Sequence, residues 1–206
     1  MLPITQNLQL RDLLGRLDEA FEGARTPALR CGPGCDACCH GPFDIGAAEA
    51  WLLLEGIAAL EEQDRVAALR RVRAQAEEER RDAGLAGSPF TLDSLGEERF
   101  DALCDARVEA ACPMLSDGRC IAYDARPEAC RLRGRDWGEG VTALSFSCPE
   151  GWTSEAAAIA FDVVTYAEQQ ARFERAGRPG PWGRDARTTL AQALDTLLRA
   201  SQPVNP

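Results

Sequence analysis

Four cysteines, Cys31, Cys35, Cys38 and Cys39, fall within nine residues, and Cys112, Cys120, Cys130 and Cys148 form a looser second group. Thiolates are soft, strong metal ligands, so clustered thiols call for a metal or a disulfide partner. Gly32, Pro33 and Gly34 disfavour a helix and favour a tight turn, letting Cys31 and Cys35 converge. Cys35 and Cys38 have the two-residue gap of a metal knuckle. The side chains of the vicinal pair Cys38-Cys39 point in different directions. That pair implies two sites, a multinuclear cluster, or one ligand beside a spare thiol.

The second group lies in turn-rich sequence. Pro113 and Pro149 follow Cys112 and Cys148, and Ser116-Asp117-Gly118 predicts a turn before Cys120. Pro127 suits the first turn of a short helix carrying Cys130. All eight cysteines are candidate metal ligands. Eight thiolates satisfy two tetrahedral zinc ions, one [4Fe–4S] cluster plus one zinc, or one cluster with spare thiols. Three close cysteines favour the cluster, since they can hold three irons of a cubane.

Arg126, Arg131, Arg133 and Arg135 form a basic island in an acidic chain. Charge compensation of a thiolate-held ion is preferred over binding of a substrate anion. Arg126, Arg131 and Tyr123 are candidate cofactor-contacting residues, with Tyr123 expected to pack on the site and bond its hydroxyl locally. His40 is read as an exposed neighbour rather than a ligand, and Cys104 as a small core residue on a helix. With no other histidine in the chain, Cys/His nucleophilic chemistry is disfavoured.

The 206 residues, 45% hydrophobic, suffice for a core that does not depend on staples. A net charge of −10 argues against unspecific binding to nucleic acid or anionic membranes. Met1 to Arg11 lacks the basic start and apolar run of a signal peptide, and no stretch reads as a membrane span. These features imply a cytoplasmic protein, where cysteine clusters bind metals or do redox work more often than they form disulfides.

The chain reads as mostly α, a single helical domain over 1–206 with irregular cysteine-rich loops. Its cysteine-cluster core spans about 31–148 and a helical extension covers 152–200. Leu10, Leu13, Leu14, Leu17 and Phe21 repeat at helical spacing. Asp44 predicts an N-cap for a helix through Ile57. A charged helix follows from about Gln63 to Ala83, its Glu and Arg run expected on a solvated face, with Gly84 as its stop. Further helices are expected over Leu95 to Ala110, from a Ser154 cap to Ala176, and over Thr188 to Ala200. Val141 to Phe146 predicts a short strand.

The chain resembles the YkgJ-like cysteine-cluster family, zinc- or iron-chelating domains named for a CxxCxxCC motif. The matching residues are Cys31, Cys35, Cys38, Cys39, Cys112-Pro113, Leu115, Cys120, Tyr123, Arg126-Pro127, Cys130-Arg131 and Cys148. The first gap holds three residues rather than two, and Pro149 follows the last cysteine. Flagellin lysine N-methylases, which are longer, share the domain, so the resemblance also implies a methyltransferase-like role. Cys31-x3-Cys35-x2-Cys38 matches radical S-adenosylmethionine enzymes too, but their alternating strands and helices do not fit this chain. The expected function is a metal-binding protein holding zinc or an iron–sulfur cluster in a redox, carrier or structural role. The alternatives are a methyltransferase-like enzyme or a zinc-stapled interaction module, with a protein partner or protein substrate compatible with either.

Overall fold

The computed structural model describes residues 4–24, 34–85, 89–138, 144–146, 158–177, 179–183 and 186–201. Among them are eight α-helices and three two-stranded antiparallel ribbons. The fold is mostly α, as the sequence predicts. None of the described helices is long and apolar enough to cross a membrane.

Helix α1 (Ile4–Gly23) shows how the apolar repeat is used. Leu10 and Leu14 pack on Ala48 and Leu52 of α2 (Ala47–Ala58), while Leu13 and Leu17 join Leu132, Trp137, Ile159 and Tyr166. One stripe, split between i and i+3 positions, therefore ties two clusters together. Helix α2 is apolar nearly all round and lies in the main core. Its Ala50, Leu53 and Ile57 meet Ala68 and Val72 of α3 (Glu62–Asp82) and Leu190, Leu194 and Leu197 of α8 (Leu190–Ala200). Each such leucine, taken out of water, contributes about 1.5–3 kcal/mol. The same cluster includes Met114, Ala122 and Ala125, with Cys112 and Cys120 packed on it. The core is thus the floor beneath the second cysteine group.

Several expectations need correction. Asp44 is not an N-cap: it lies in strand β1 (Asp44–Ile45), paired with Thr189 of β6 (Thr188–Thr189), and its carboxylate is held by Arg187. Gly46 takes the cap position, and Glu49 supplies the carboxylate that accepts the Gly46 N–H at 3.3 Å. The helix expected over Leu95 to Ala110 is two, α4 (Leu92–Leu95) and α5 (Glu97–Ala106), because Gly96 at φ 81° breaks it. Ser154 lies outside the described residues. Helix α7 (Val163–Ala176) begins at an Asp162 cap, while Ile159 bridges to Trp137.

The charged run of α3 is not wholly solvated either. Glu79 and Arg80 are buried against α8. Arg80 donates to Gln192 (2.9 Å) and Asp195 (3.0 Å), and Glu79 accepts from Thr189 (2.5 Å), Gln75 (3.1 Å) and Gln192 (3.3 Å). Periodicity alone cannot show that a second helix lays its polar residues on this face. Gly84 ends the helix at φ 67°, as predicted. Of the predicted strand, Leu144–Phe146 forms β5, paired with β4 (Arg135–Trp137); Val141 lies outside the described residues.

Candidate metal centre

Backbone bonds bring the two cysteine groups together. Cys112 N–H donates to Cys39 O (2.8 Å), and Gly41 N–H donates to Ala110 O (2.8 Å), around a bridge between His40 and Ala111. Cys39 N–H closes a turn onto Asp36 O (2.8 Å). On the other side, β2 (Leu115–Ser116) and β3 (Arg119–Cys120) form a hairpin that places Cys120 opposite Leu115. Asp117 (φ 50°) and Gly118 (φ 70°) make its two-residue turn with the positive dihedrals that such a loop requires. Cys130 sits on the single-turn helix α6 (Glu128–Leu132), whose N-cap is Pro127. From α3, Arg71 donates to Pro113 O (2.8 Å) and pins the Cys112-Pro113 corner.

Electrostatics reports which thiols face one another. Burial pushes the Cys112 thiol up to about 11, with Cys120 adding to the shift. Burial also raises Cys120, and it raises Cys130 further, with Cys112, Cys120 and Cys38 contributing. The vicinal thiols meet rather than diverge as expected: Cys39 rises through its hydrogen bond with Cys38 and its own desolvation, with Cys112 and Cys130 adding to it. Cys38 moves the other way, to about 6, because that hydrogen bond and the Arg133 and Arg126 guanidiniums favour its thiolate. Cys38, Cys39, Cys112, Cys120 and Cys130 therefore share one electrostatic neighbourhood. None of the five forms a disulfide. Crowded, desolvated thiols resist ionisation, and a cation placed among them reverses that penalty.

Cys35 is also free and partly buried; Cys31 and Cys148 lie outside the described residues. Cys104 stands apart on α5, beside Pro42 O (3.9 Å) and among Asp101, Asp105 and Asp44; it is half-buried rather than the core residue expected, because Leu103 takes the inward position. His40 is exposed, as expected.

The basic island divides by role. Arg126 acts on Cys38, Cys120 and Cys130, and Arg133 on Cys38, which agrees with charge compensation. Arg126 also binds Asp18 (2.9 Å), while its Nε is buried without a hydrogen-bond partner. Arg131 instead is buried and structural: it pairs with Asp18 and donates to Arg126 O (2.9 Å) and Asp124 O (3.0 Å). Tyr123 is not packed inside. It is 41% exposed, with the Arg126 guanidinium 3.6 Å from its ring centroid. The reason is geometric: the 3₁₀ turn Tyr123–Ala125 directs Ala125, not Tyr123, into the core. The side chain of Arg135 lies outside the description.

Sequence reasoning missed Arg71 and Glu49. Arg71 is one of many arginines on α3 and carries no mark of its own. Glu49 has a signal, a lone acid within the apolar run Ala47–Leu54. It is buried, and its Oε1 accepts the first N–H of α6 from Glu128 (2.7 Å). Through Glu49, helix α2 orients the turn that carries Cys130.

The donor set fits a thiophilic metal, being free thiols at one locus with guanidiniums to balance their charge. Among the described residues, which leave out Cys31 and Cys148, no three His, Cys, Asp or Glu side chains stand close enough together to hold a metal ion. A helical framework whose loops gather thiols from two chain segments defines a cysteine-rich metal-binding domain. The family model described as "CxxCxxCC: Putative zinc- or iron-chelating domain" matches residues 30–149, more than half of the chain, and the chain belongs to this family. No curated protein and no solved structure matched it.

Proposed function

We propose that this protein binds zinc or a [4Fe–4S] cluster through Cys31, Cys35, Cys38, Cys39, Cys112, Cys120, Cys130 and Cys148, in one cytoplasmic domain spanning 1–206. The observation that carries the reading is the mutual influence of five free thiols drawn from both cysteine groups. Arg126 and Arg133 stabilise the thiolate state, and Cys38, at the surface, leaves the centre accessible. Access favours a redox or carrier role over a closed structural staple. When bound, zinc supplies Lewis acidity and a cluster supplies one-electron chemistry. A methyltransferase-like enzyme is the second reading, favoured by a cleft at Glu128, two residues before Cys130.

Anaerobic purification, metal and sulfide analysis and an absorption spectrum test the proposal. Iron and sulfide in comparable amounts with a brown colour identify the cluster; a colourless protein with stoichiometric zinc identifies zinc. Cys130→Ser is expected to lower metal content and Cys104→Ser to leave it unchanged. Metal-free protein of full stability with intramolecular disulfides refutes the metal reading.

A further inference from the structure

Two arginines beside the thiols carry buried N–H groups that no acceptor among the described residues receives. Arg71 gives its Nε–H to Pro113 O (2.8 Å), but its Nη2 is buried without a hydrogen-bond partner. Arg126 gives its Nη2 to Asp18 (2.9 Å), but its Nε is buried without one. The Tyr123 ring, 3.6 Å from Arg126 Cζ, covers that guanidinium on one side. A guanidinium presents its donors in a rigid planar fork, so one arm can be anchored while another is offered to a second acceptor. A buried donor left unmet costs about 1–3 kcal/mol, and folded proteins leave few of them.

Both orphaned donors belong to the thiol centre. The Arg71 charge favours the Cys112 thiolate, and the Arg126 charge favours those of Cys38, Cys120 and Cys130. The two arginines come from separate parts of the chain, α3 and the turn before α6. Neither free N–H bonds a sulfur of the described thiols. Nor do any three of those thiols stand close enough to share one ion. The acceptors that these donors lack therefore have to come with the guest. A zinc ion brings none. A [4Fe–4S] cluster brings four sulfides and gives each ligating thiolate its own iron.

We infer that Arg71 and Arg126 donate hydrogen bonds to the sulfur atoms of a bound [4Fe–4S] cluster, selecting it over zinc and raising its reduction potential. This role rests on the thiols being the metal centre and narrows that centre to the cluster. Reduction adds an electron to a group that is already anionic. Donors aimed at its sulfurs therefore favour the reduced state, and charge-assisted donors do so most strongly.

Redox titration of the full-length, anaerobically purified protein, followed by visible absorption, tests this role. Arg71→Lys and Arg126→Lys each keep the charge and one donor for the present partner, but remove the second arm of the fork. Arg73→Lys, at an exposed position on α3, is the control. The double variant should lower the reduced-to-oxidised ratio at a fixed potential about tenfold, a midpoint about 59 mV lower for a one-electron couple. Arg73→Lys should titrate as the parent does. If Arg126→Lys disturbs the fold, Arg71→Lys alone should still shift the ratio about threefold. A colourless protein with stoichiometric zinc overturns the inference and leaves the metal reading standing. A cluster whose midpoint is the same in the parent and the well-folded variants, or moves as far in Arg73→Lys, overturns it as well. Metal-free protein of full stability refutes the metal reading itself, and this role with it.

Discussion

Asp18 of α1 is the point on which Arg126 and Arg131 converge. Asp18→Asn removes the charge but keeps the shape. The Arg131 side chain is only 4% exposed, so its guanidinium would be left buried with two backbone carbonyls and no counter-charge. Breaking a buried ion pair from one side costs about 3–5 kcal/mol. Asp18 itself is 40% exposed, so water can replace part of what the carboxylate supplied. The loss should therefore be about 2–3 kcal/mol, or a fall in Tm of about 5–10 °C for a chain of this length. Thermal unfolding of the metal-loaded protein in about 0.15 M salt is the assay, since such salt screens exposed pairs and spares buried ones. The double variant with Arg131→Met should be less destabilised than the sum of the single changes, because no buried charge remains. A Tm shift below about 1 °C for Asp18→Asn would refute the reasoning and class the bridge with ordinary surface pairs.

Three further outcomes are expected. A Cβ at Gly56 would stand 2.5 Å from Ala125 Cβ, well inside normal carbon contact. Gly56→Ala should therefore lose about 1–3 kcal/mol to overpacking, despite a better helix former, and should lower metal occupancy by displacing the turn before Arg126; a rise in Tm would contradict this. Burial raises Glu79 above the ordinary glutamate range, against the opposing pull of Thr189, Gln75 and Gln192. The unfolded chain therefore gives up this proton first, so Glu79 lowers stability as pH rises from its unfolded pKa through its folded one. Urea unfolding at pH 5 and pH 8 should show a smaller pH-dependent loss in Glu79→Gln than in the parent; an unchanged loss removes Glu79 as a cause. Arg71→Met should leave the helices intact by circular dichroism yet reduce metal content, because Pro113 O loses its donor; unaltered content would show that the Cys112 corner holds itself.

The parts of the fold that follow from local rules were legible in the chain. The α1 stripe, the length of α3, the Gly84 stop and the Ser116-Asp117-Gly118 turn all depend on neighbours a few residues apart. Asp44 misled because a good capping residue also serves in a strand when an arginine far along the chain, Arg187, claims its carboxylate. Glu79 and Arg80 misled for the same reason: their partners lie on α8 and on Thr189 just before it, more than a hundred residues away. Tyr123 was expected against the site with its hydroxyl bonded locally; the 3₁₀ turn directs Ala125 into the core and leaves Tyr123 at the surface over Arg126.

For the site, residue type and spacing alone identified the cysteines as the chemistry-bearing group, because soft donors at close intervals have few other uses. Spacing could not say which thiols meet. That was decided by the Cys112–Cys39 backbone bond, the β2–β3 hairpin and the α6 turn, which bring side chains from separate segments into one desolvated space. It also divided the arginines, setting Arg126 and Arg133 beside the thiols and burying Arg131 against Asp18. The sequence by itself determined the donor chemistry and the helical framework, which are local properties. Only the tertiary structure decided proximity, burial and charge environment, since those depend on packing between parts of the chain that no local pattern relates.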